Sequence, residues 1–326
     1  MGTPSPLCHE KIDMTLNPKI ISDFISEQLA AWPMATANFE ALKTVKVKEI
    51  ELPGWLIKVQ FNPARAVSSS AKVDAASLKA RKCFLCKDNR PSEQFALPWL
   101  EGKYEVLVNP FPIFPRHLTI PATDHTDQRI EGRIADMLLL AHELEEYTVF
   151  YNGPRCGASA PDHMHFQAGN SDFLTIAEAL EQAELQLMAS EGAATLSLCE
   201  TLPLKVFIID TPSGRRDEAA ILFERLYKAM PGIEGEEPMM NLLAYRTPIG
   251  VRLIVIPRKK HRPSFYGTEG EGTMLLSPAS VDMGGVFITP MEKDFEKLND
   301  KIINDVFGEL CLSSEEINEI ASNVRQ

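Results

Sequence analysis

The chain has 326 residues, 44% of them hydrophobic, which is enough to build a sizeable core in one large or two ordinary domains. A formal net charge of −12 excludes a general nucleic-acid binder, so an anionic substrate would need a local basic site. Six cysteines in this length exclude a disulfide scaffold and favour a reducing compartment, and with no apolar run of about eighteen residues and no basic-then-apolar leader the expected location is cytoplasmic, away from membranes.

Asn17-Pro18 reads as a cap and first helical residue, followed by Ile20, Ile21, Phe24, Ile25 and Leu29 at helical spacing. Val45 to Phe61, with alternating Trp55, Ile57, Val59 and Phe61 around Pro53-Gly54, predicts a hairpin. The small, basic segment after it offers Arg65 and Lys72 as anion contacts, or is a plain connector. In Cys83-x-x-Cys86 two thiolates can chelate one metal, but a zinc site needs four ligands and no second pair exists, so the partners would be distant histidines. A redox pair and two thiols that merely share a turn are the alternatives.

Residues 104–108 and 117–121 predict paired strands, and an amphipathic helix is expected from about Asp127 to Glu146. A strand from Tyr147 to Tyr151 then delivers the chain to Asn152-Gly153, a turn-forming Gly157-Ala158-Ser159-Ala160-Pro161, and His163-Met164-His165-Phe166-Gln167. On a strand His163, His165 and Gln167 would share one surface while Met164 and Phe166 pack inward. Two imidazoles and a carboxamide suit phosphorus chemistry, because neutral imidazole is a nucleophile near pH 7 and an amide can hold a phosphoryl oxygen as charge moves onto it. The small residues upstream let backbone approach a charged ligand.

Beyond Gly169 a helix (174–188), a strand (204–210) and a helix (about 214–229) are expected, and then an earlier order returns. Ile256-Pro257 has a histidine, His261, four residues after the proline, as Ile120-Pro121 has His125, which predicts a duplication of domain size. The second copy lacks His-x-His-x-Gln, so the first lobe is expected to be catalytic. Its basic run Arg258 to Arg262 either holds substrate phosphates or is a solvated turn. Thr289, Pro290 and Glu292 predict a capping box with Phe295, Leu298 and Ile302 facing inward, and Ser313 with Glu316 predicts another.

Cys83-x-x-Cys86, Asn109, Ile-Pro-x-x-x-His125, Asn152-Gly153, Gly157-x-Ser159 and His163-x-His165-x-Gln167 come in the order seen in the transferase branch of the histidine-triad superfamily. That branch includes galactose-1-phosphate uridylyltransferases, diadenosine tetraphosphate phosphorylases and plant GDP-L-galactose phosphorylases. The Ser277-Pro278-Ala279 to Gly285 passage is most similar to the last of these, and the resemblance spans roughly Val45 to Phe307. It implies an α+β, histidine-triad-like fold of two fused, pseudo-repeated lobes of antiparallel sheet with packed helices, residues 1–200 forming the catalytic lobe and 201–326 a degenerate one. It implies a nucleotidyltransferase or phosphorylase in which His165 attacks the α-phosphorus of a nucleotide sugar, GDP-hexose favoured, or of a dinucleoside polyphosphate, with phosphate or a sugar phosphate as acceptor. Gln167 and Ser159 would hold phosphoryl oxygens, with Asn109, Asn152, Gly153 and Gly157 lining the nucleotide site. By the same resemblance Cys83, Cys86, His125 and His163 match a structural zinc site, although Asp162 before the first histidine departs from the pattern. A hydrolase and a non-catalytic nucleotide-binding regulator are the alternatives, and Gln167 favours transfer because small hydrolases of the superfamily have a third histidine there. The oligomeric state stays open, a homodimer included.

Overall fold

The computed structural model describes residues 15–65, 75–267, 270 and 272–325. Lys72, expected to contact an anion, lies outside the described residues. In chain order the elements are α1 (Pro18–Ala31), α2 (Pro33–Ala41), β1 (Lys46–Leu52), β2 (Trp55–Phe61), α3 (Ala75–Ala80), β3 (Leu97–Trp99), β4 (Tyr104–Val108), β5 (His117–Pro121), α4 (Ile134–Glu143), β6 (Tyr147–Asn152), β7 (His165–Asn170) and α5 (Ile176–Gln182). They continue with β8 (Leu185–Glu191), β9 (Ala194–Cys199), β10 (Val206–Pro212), α6 (Arg216–Ala229), β11 (Met240–Arg246), β12 (Gly250–Pro257), α7 (Ser280–Met283), β13 (Val286–Thr289), α8 (Glu292–Lys297), α9 (Asp300–Leu310) and α10 (Ser314–Val324).

Ten strands form one sheet in the order β3-β4-β5-β7-β6-β11-β12-β10-β9-β8, a mirrored arrangement about the antiparallel β6–β11 junction, where Asn152 pairs with Asn241. The fold is therefore α+β with two like halves. The hairpin β8–β9 hydrogen-bonds to β10, on the far side of the expected division at residue 200. Alternation along the strands separates two cores. Met164, Phe166, Ala168, Leu242 and Leu253 face a layer built from α1, α2, α4, α6 and α10. Phe150, Leu243, Ile254 and Ile256 face a second layer that includes α9 and the three-stranded sheet β1-β2-β13, in which β13 from the carboxy-terminal half runs parallel to β2.

Several local expectations are corrected. The helix expected over 127–146 begins only at Ile134, because 127–133 is a loop turned by Gly132 at φ +70°. The helix expected over 174–188 stops at Gln182, and Leu185–Glu191 is a strand, since pairing with β9 overrides its helical propensity. Thr289 does not cap a helix: it ends β13 and its hydroxyl donates to the Gln60 carbonyl at 3.3 Å. The chain instead makes α8, breaks, and is recapped by Asn299, whose side chain accepts from Ile302 N–H. The Ile-Pro-x-x-x-His match sets β5 against β12, whereas the mirrored sheet makes β10 the counterpart of β5 and β12 the counterpart of β7.

Candidate active site

His165 opens β7 opposite Pro121, and Gln167 lies opposite Thr119 on β5 and Phe150 on β6. Both side chains point to the same face and line a cavity of about 500 Å³. His163 does not share that face: it precedes the strand, and its side chain turns away to the cysteines. The backbone of His165 is clamped by Gln128, whose Oε1 accepts from His165 N–H at 2.8 Å and whose Nε2 donates to the His165 and Asn152 carbonyls. Sequence reasoning missed Gln128, which sits in an irregular loop without a pattern to mark it.

The hydrogen-bond network fixes the state of each ring. His165 Nδ1 lies 2.8 Å from the His163 carbonyl, which can only accept, so Nδ1 carries the proton. Nε2 then holds a lone pair and has no protein partner among the described residues. Burial pushes the ring down to about 4, against the opposing pull of the His163 carbonyl, so it is neutral at pH 7. His117, on β5, accepts from Ile113 N–H through Nδ1 at 3.2 Å; its Nε2–H therefore donates to Gln167 Oε1 at 3.0 Å. With Asn109 Nδ2 also directed at that oxygen from 3.5 Å, the Gln167 carboxamide must present its NH₂ group to the cavity. Burial, then the Arg65 charge, hold His117 down to about 3, so this donor does not titrate near neutrality. The sequence signal for His117 was only its strand alternation with Thr119.

The other expected contacts divide. Asn109, Asn152, Gly157, Ser159 and Arg65 line the cavity. Asn152 Oδ1 accepts from Asn241 Nδ2 and from both the N–H and hydroxyl of Ser280, so this residue ties the two halves together. Asn109 braces its own loop, accepting from Phe111 N–H and donating to Thr119. Gly153 stands back, its N–H donating to the Met240 carbonyl at 3.2 Å. Gly157 is at φ +99°, and a Cβ there would fall 2.5 Å from Ala279 Cβ, so only glycine lets the Gly157–Ser159 loop meet the 277–280 loop. Arg65 donates to the Phe111 carbonyl at 2.8 Å and is lowered to about 10 by burial, partly offset by Asp282. Asp282, another lining residue sequence reasoning missed, is raised to about 6 by burial, with the Ala279 and Ile288 N–H groups opposing the rise.

Cys83, Cys86, His125 and His163 come together beside this cavity, their ligand atoms all within 4.8 Å of one another. The closest approaches are 3.1 Å between the two Nδ1 atoms, 3.3 Å from Cys83 Sγ to His163 and 3.2 Å from Cys86 Sγ to His125. A tetrahedral zinc with roughly 2.0–2.3 Å bonds has donor–donor edges near these lengths, so the four residues fit a closed site. His163 is steadied from outside, its Nε2 2.8 Å from the Ala122 carbonyl. Burial acts to raise the Cys83 thiol, but hydrogen bonds from His163 and the Leu85 and Cys86 N–H groups bring it down to about 6. Asp162 does not displace His163; it pairs with Arg81 at 3.2 Å. Between the cysteines, Phe84 and Leu85 form part of the cavity wall with Trp32, Gln94 and Pro110.

A family model described as a domain of unknown function, DUF4922, matches residues 24–170. The crystal structure of yeast Ap4A phosphorylase Apa2 superposes with a TM-score of 0.64 at 18% identity, covering 92% of this chain and 99% of that one. The same protein in complex with Ap4A gives 0.62 at 17% identity, with the same coverage. The chain has the histidine-triad-like fold of Apa2. In sequence, diadenosine 5′,5‴-P1,P4-tetraphosphate phosphorylase 2 of Saccharomyces cerevisiae is 33% identical over 81 residues, which is 21% of this chain and about a quarter, 25%, of that protein's length. No described helix is long and apolar enough to cross a membrane.

Proposed function

We propose that the protein is a nucleotidyltransferase of the phosphorylase type, acting on a dinucleoside polyphosphate through a covalent nucleotidyl intermediate on His165. The observation that carries this reading is the lone pair of His165 Nε2, facing an open cavity while Nδ1–H is bonded to the His163 carbonyl. The similarity to yeast Ap4A phosphorylases supports the choice of donor. Nε2 attacks the α-phosphorus and the P–O bond to the remaining polyphosphate breaks, its electron pair leaving with that oxygen. The His163 carbonyl stabilises the positive charge that develops on the ring, and the Gln167 NH₂ donates to a non-bridging oxygen. In the return step an oxygen of phosphate attacks, the P–N bond breaks and its pair goes back to Nε2. Leaving group and acceptor are both oxyanions, so neither half needs a general base.

In this reading the Cys83, Cys86, His125 and His163 cluster holds zinc, which supplies rigidity and takes no part in the transfer. It fixes the residue whose carbonyl sets the tautomer of His165. A nucleotide sugar, GDP-hexose first, is the second donor class, favoured by Ser277 and Ala279 of the GDP-L-galactose phosphorylase-like passage, which line the cavity.

The test is to incubate the protein with diadenosine tetraphosphate, and in parallel GDP-hexose, each labelled at the α-phosphorus. An acid-labile adduct that His165→Ala abolishes, discharged by phosphate faster than by water, is expected. Discharge by water alone would identify a hydrolase, and nucleotide binding without an adduct from any donor would identify a regulator.

A further inference from the structure

The basic run Arg258 to Arg262 comes apart in three dimensions. Arg258 is buried, and its two terminal nitrogens donate to Asn241 Oδ1 at 2.5 Å and to the carbonyls of Pro278, Lys260 and His261. Lys260 turns outward to Glu309, and Lys259 reaches Glu316 at 4.0 Å. Only His261 and Arg262 line the cavity. His261 adds no charge there at neutral pH, because burial, with Arg262 and Arg258 nearby, holds it down to about 4.

Arg262 is differently placed. Its Nε donates to Ser277 Oγ at 2.9 Å, and its guanidinium lies 4.1 Å from the Tyr266 ring centroid. Those contacts fix the plane of the fork and leave its terminal nitrogens without a protein partner among the described residues. No carboxylate among the described residues pairs with it, whereas Arg65, the other lining cation, sits in the field of Asp282. Ser277 belongs to the loop whose Ala279 abuts Gly157, so Arg262 stands at the seam where the carboxy-terminal half meets the Gly157–Ser159 loop.

We propose that Arg262 binds the phosphoryl group next to the one transferred: the group that departs with the polyphosphate and whose place the incoming phosphate takes. This rests on the reading of the cavity as a nucleotide site. A planar fork held at one nitrogen and by stacking offers its remaining N–H donors to two oxygens of one phosphoryl group. The duplicated half, which has no nucleophile of its own, thereby supplies the anion-holding cation.

The experiment is calorimetric titration of adenosine and guanosine monophosphates and diphosphates into the intact protein and three variants. Arg262→Gln should weaken the diphosphate by about 10- to 100-fold, the loss for one or two hydrogen bonds to a charged group, and leave the monophosphate within about twofold. Arg262→Lys should recover part of the loss. Lys260→Gln, which removes a positive charge from the same turn, should change neither. Arg262→Gln acting equally on both nucleotides, or on neither, would overturn the proposal while leaving the nucleotide site intact. Wild-type protein that binds none of the four nucleotides would overturn the reading of the cavity, and this proposal with it.

Discussion

His117→Phe tests the chain of orientation behind Gln167 because it changes a residue with no expected substrate contact. The imidazole is fully buried, edge-on to Phe114 at 5.1 Å between centroids and near Phe150 at 6.0 Å, so a phenyl ring fits the packing and removes only the hydrogen bonds. Gln167 then loses the donor that fixes its carbonyl and is free to turn that oxygen toward the phosphoryl group. An oxyanion-type donor is worth roughly 10²–10³ in kcat, so His117→Phe should lower kcat by up to that factor with little change in KM. Single-turnover nucleotidyl transfer should show Gln167→Ala, His117→Phe and the double variant falling together, since a residue acting only through Gln167 adds nothing once Gln167 is gone. Multiplying effects would refute the relay. Stability gives a second reading. Stranding the buried Ile113 N–H should cost about 1–3 kcal/mol at pH 7. Burial lowers His117 from 6.5 to about 3, so as pH falls below 6.5 the unfolded chain takes up a proton that the folded one refuses, and wild type loses stability. By pH 5 that loss is about 2 kcal/mol, which the variant escapes, so the gap between the two should narrow on acidification.

Cys86→Ser should lower zinc content on metal analysis, reduce the melting temperature and weaken nucleotide binding, because Phe84 and Leu85 of the same turn wall the cavity. Glu237→Gln should remove a pH dependence. Burial raises this carboxyl from 4.5 to about 7, against donors from Tyr151 and Ile130, so wild type loses about 3 kcal/mol as pH rises between those values and the variant should not, as read by urea unfolding. Arg252→Leu alone should cost about 1–3 kcal/mol by stranding Asp210, whereas Asp210→Leu with Arg252→Leu should be near neutral, and nucleotidyl transfer should be unchanged in both.

The residues that meet a pattern were legible in the sequence. Asn17 caps α1 through Ile20 N–H, Ser313 and Glu316 close a capping box, and the hairpin Lys46 to Phe61 pairs as its alternation implies. His165 and Gln167 share a face because β7 obeys a period of two. What failed was set by partners distant in sequence. The helix expected over 174–188 stops at Gln182, and Leu185–Glu191 becomes a strand because β9 is available beside it. Gln128 and His117 act through backbone groups and through another side chain, and no spacing rule marks either role. The basic run could not be sorted by composition, since burial of Arg258 and stacking of Arg262 are properties of the folded surroundings.

The mirrored sheet sets unlike side chains at matching register on the two sides of the β6–β11 junction. Phe150 pairs with Leu243 across the junction, with Gln167 on one side and Ile254 on the other, so a carboxamide in the first half has an apolar side chain at the matching register in the second. Two residues before Ile254 on β12, Arg252 grips Asp210 with two hydrogen bonds, 2.7 and 2.9 Å. The second half contributes its loops instead. Ser277, Ala279 and Asp282 close the cavity, Ser280 is locked to Asn152, and β13 completes the small sheet beside β2. The second half thus walls the cavity that His165 and Gln167 line, and the β6–β11 junction holds the two halves in register.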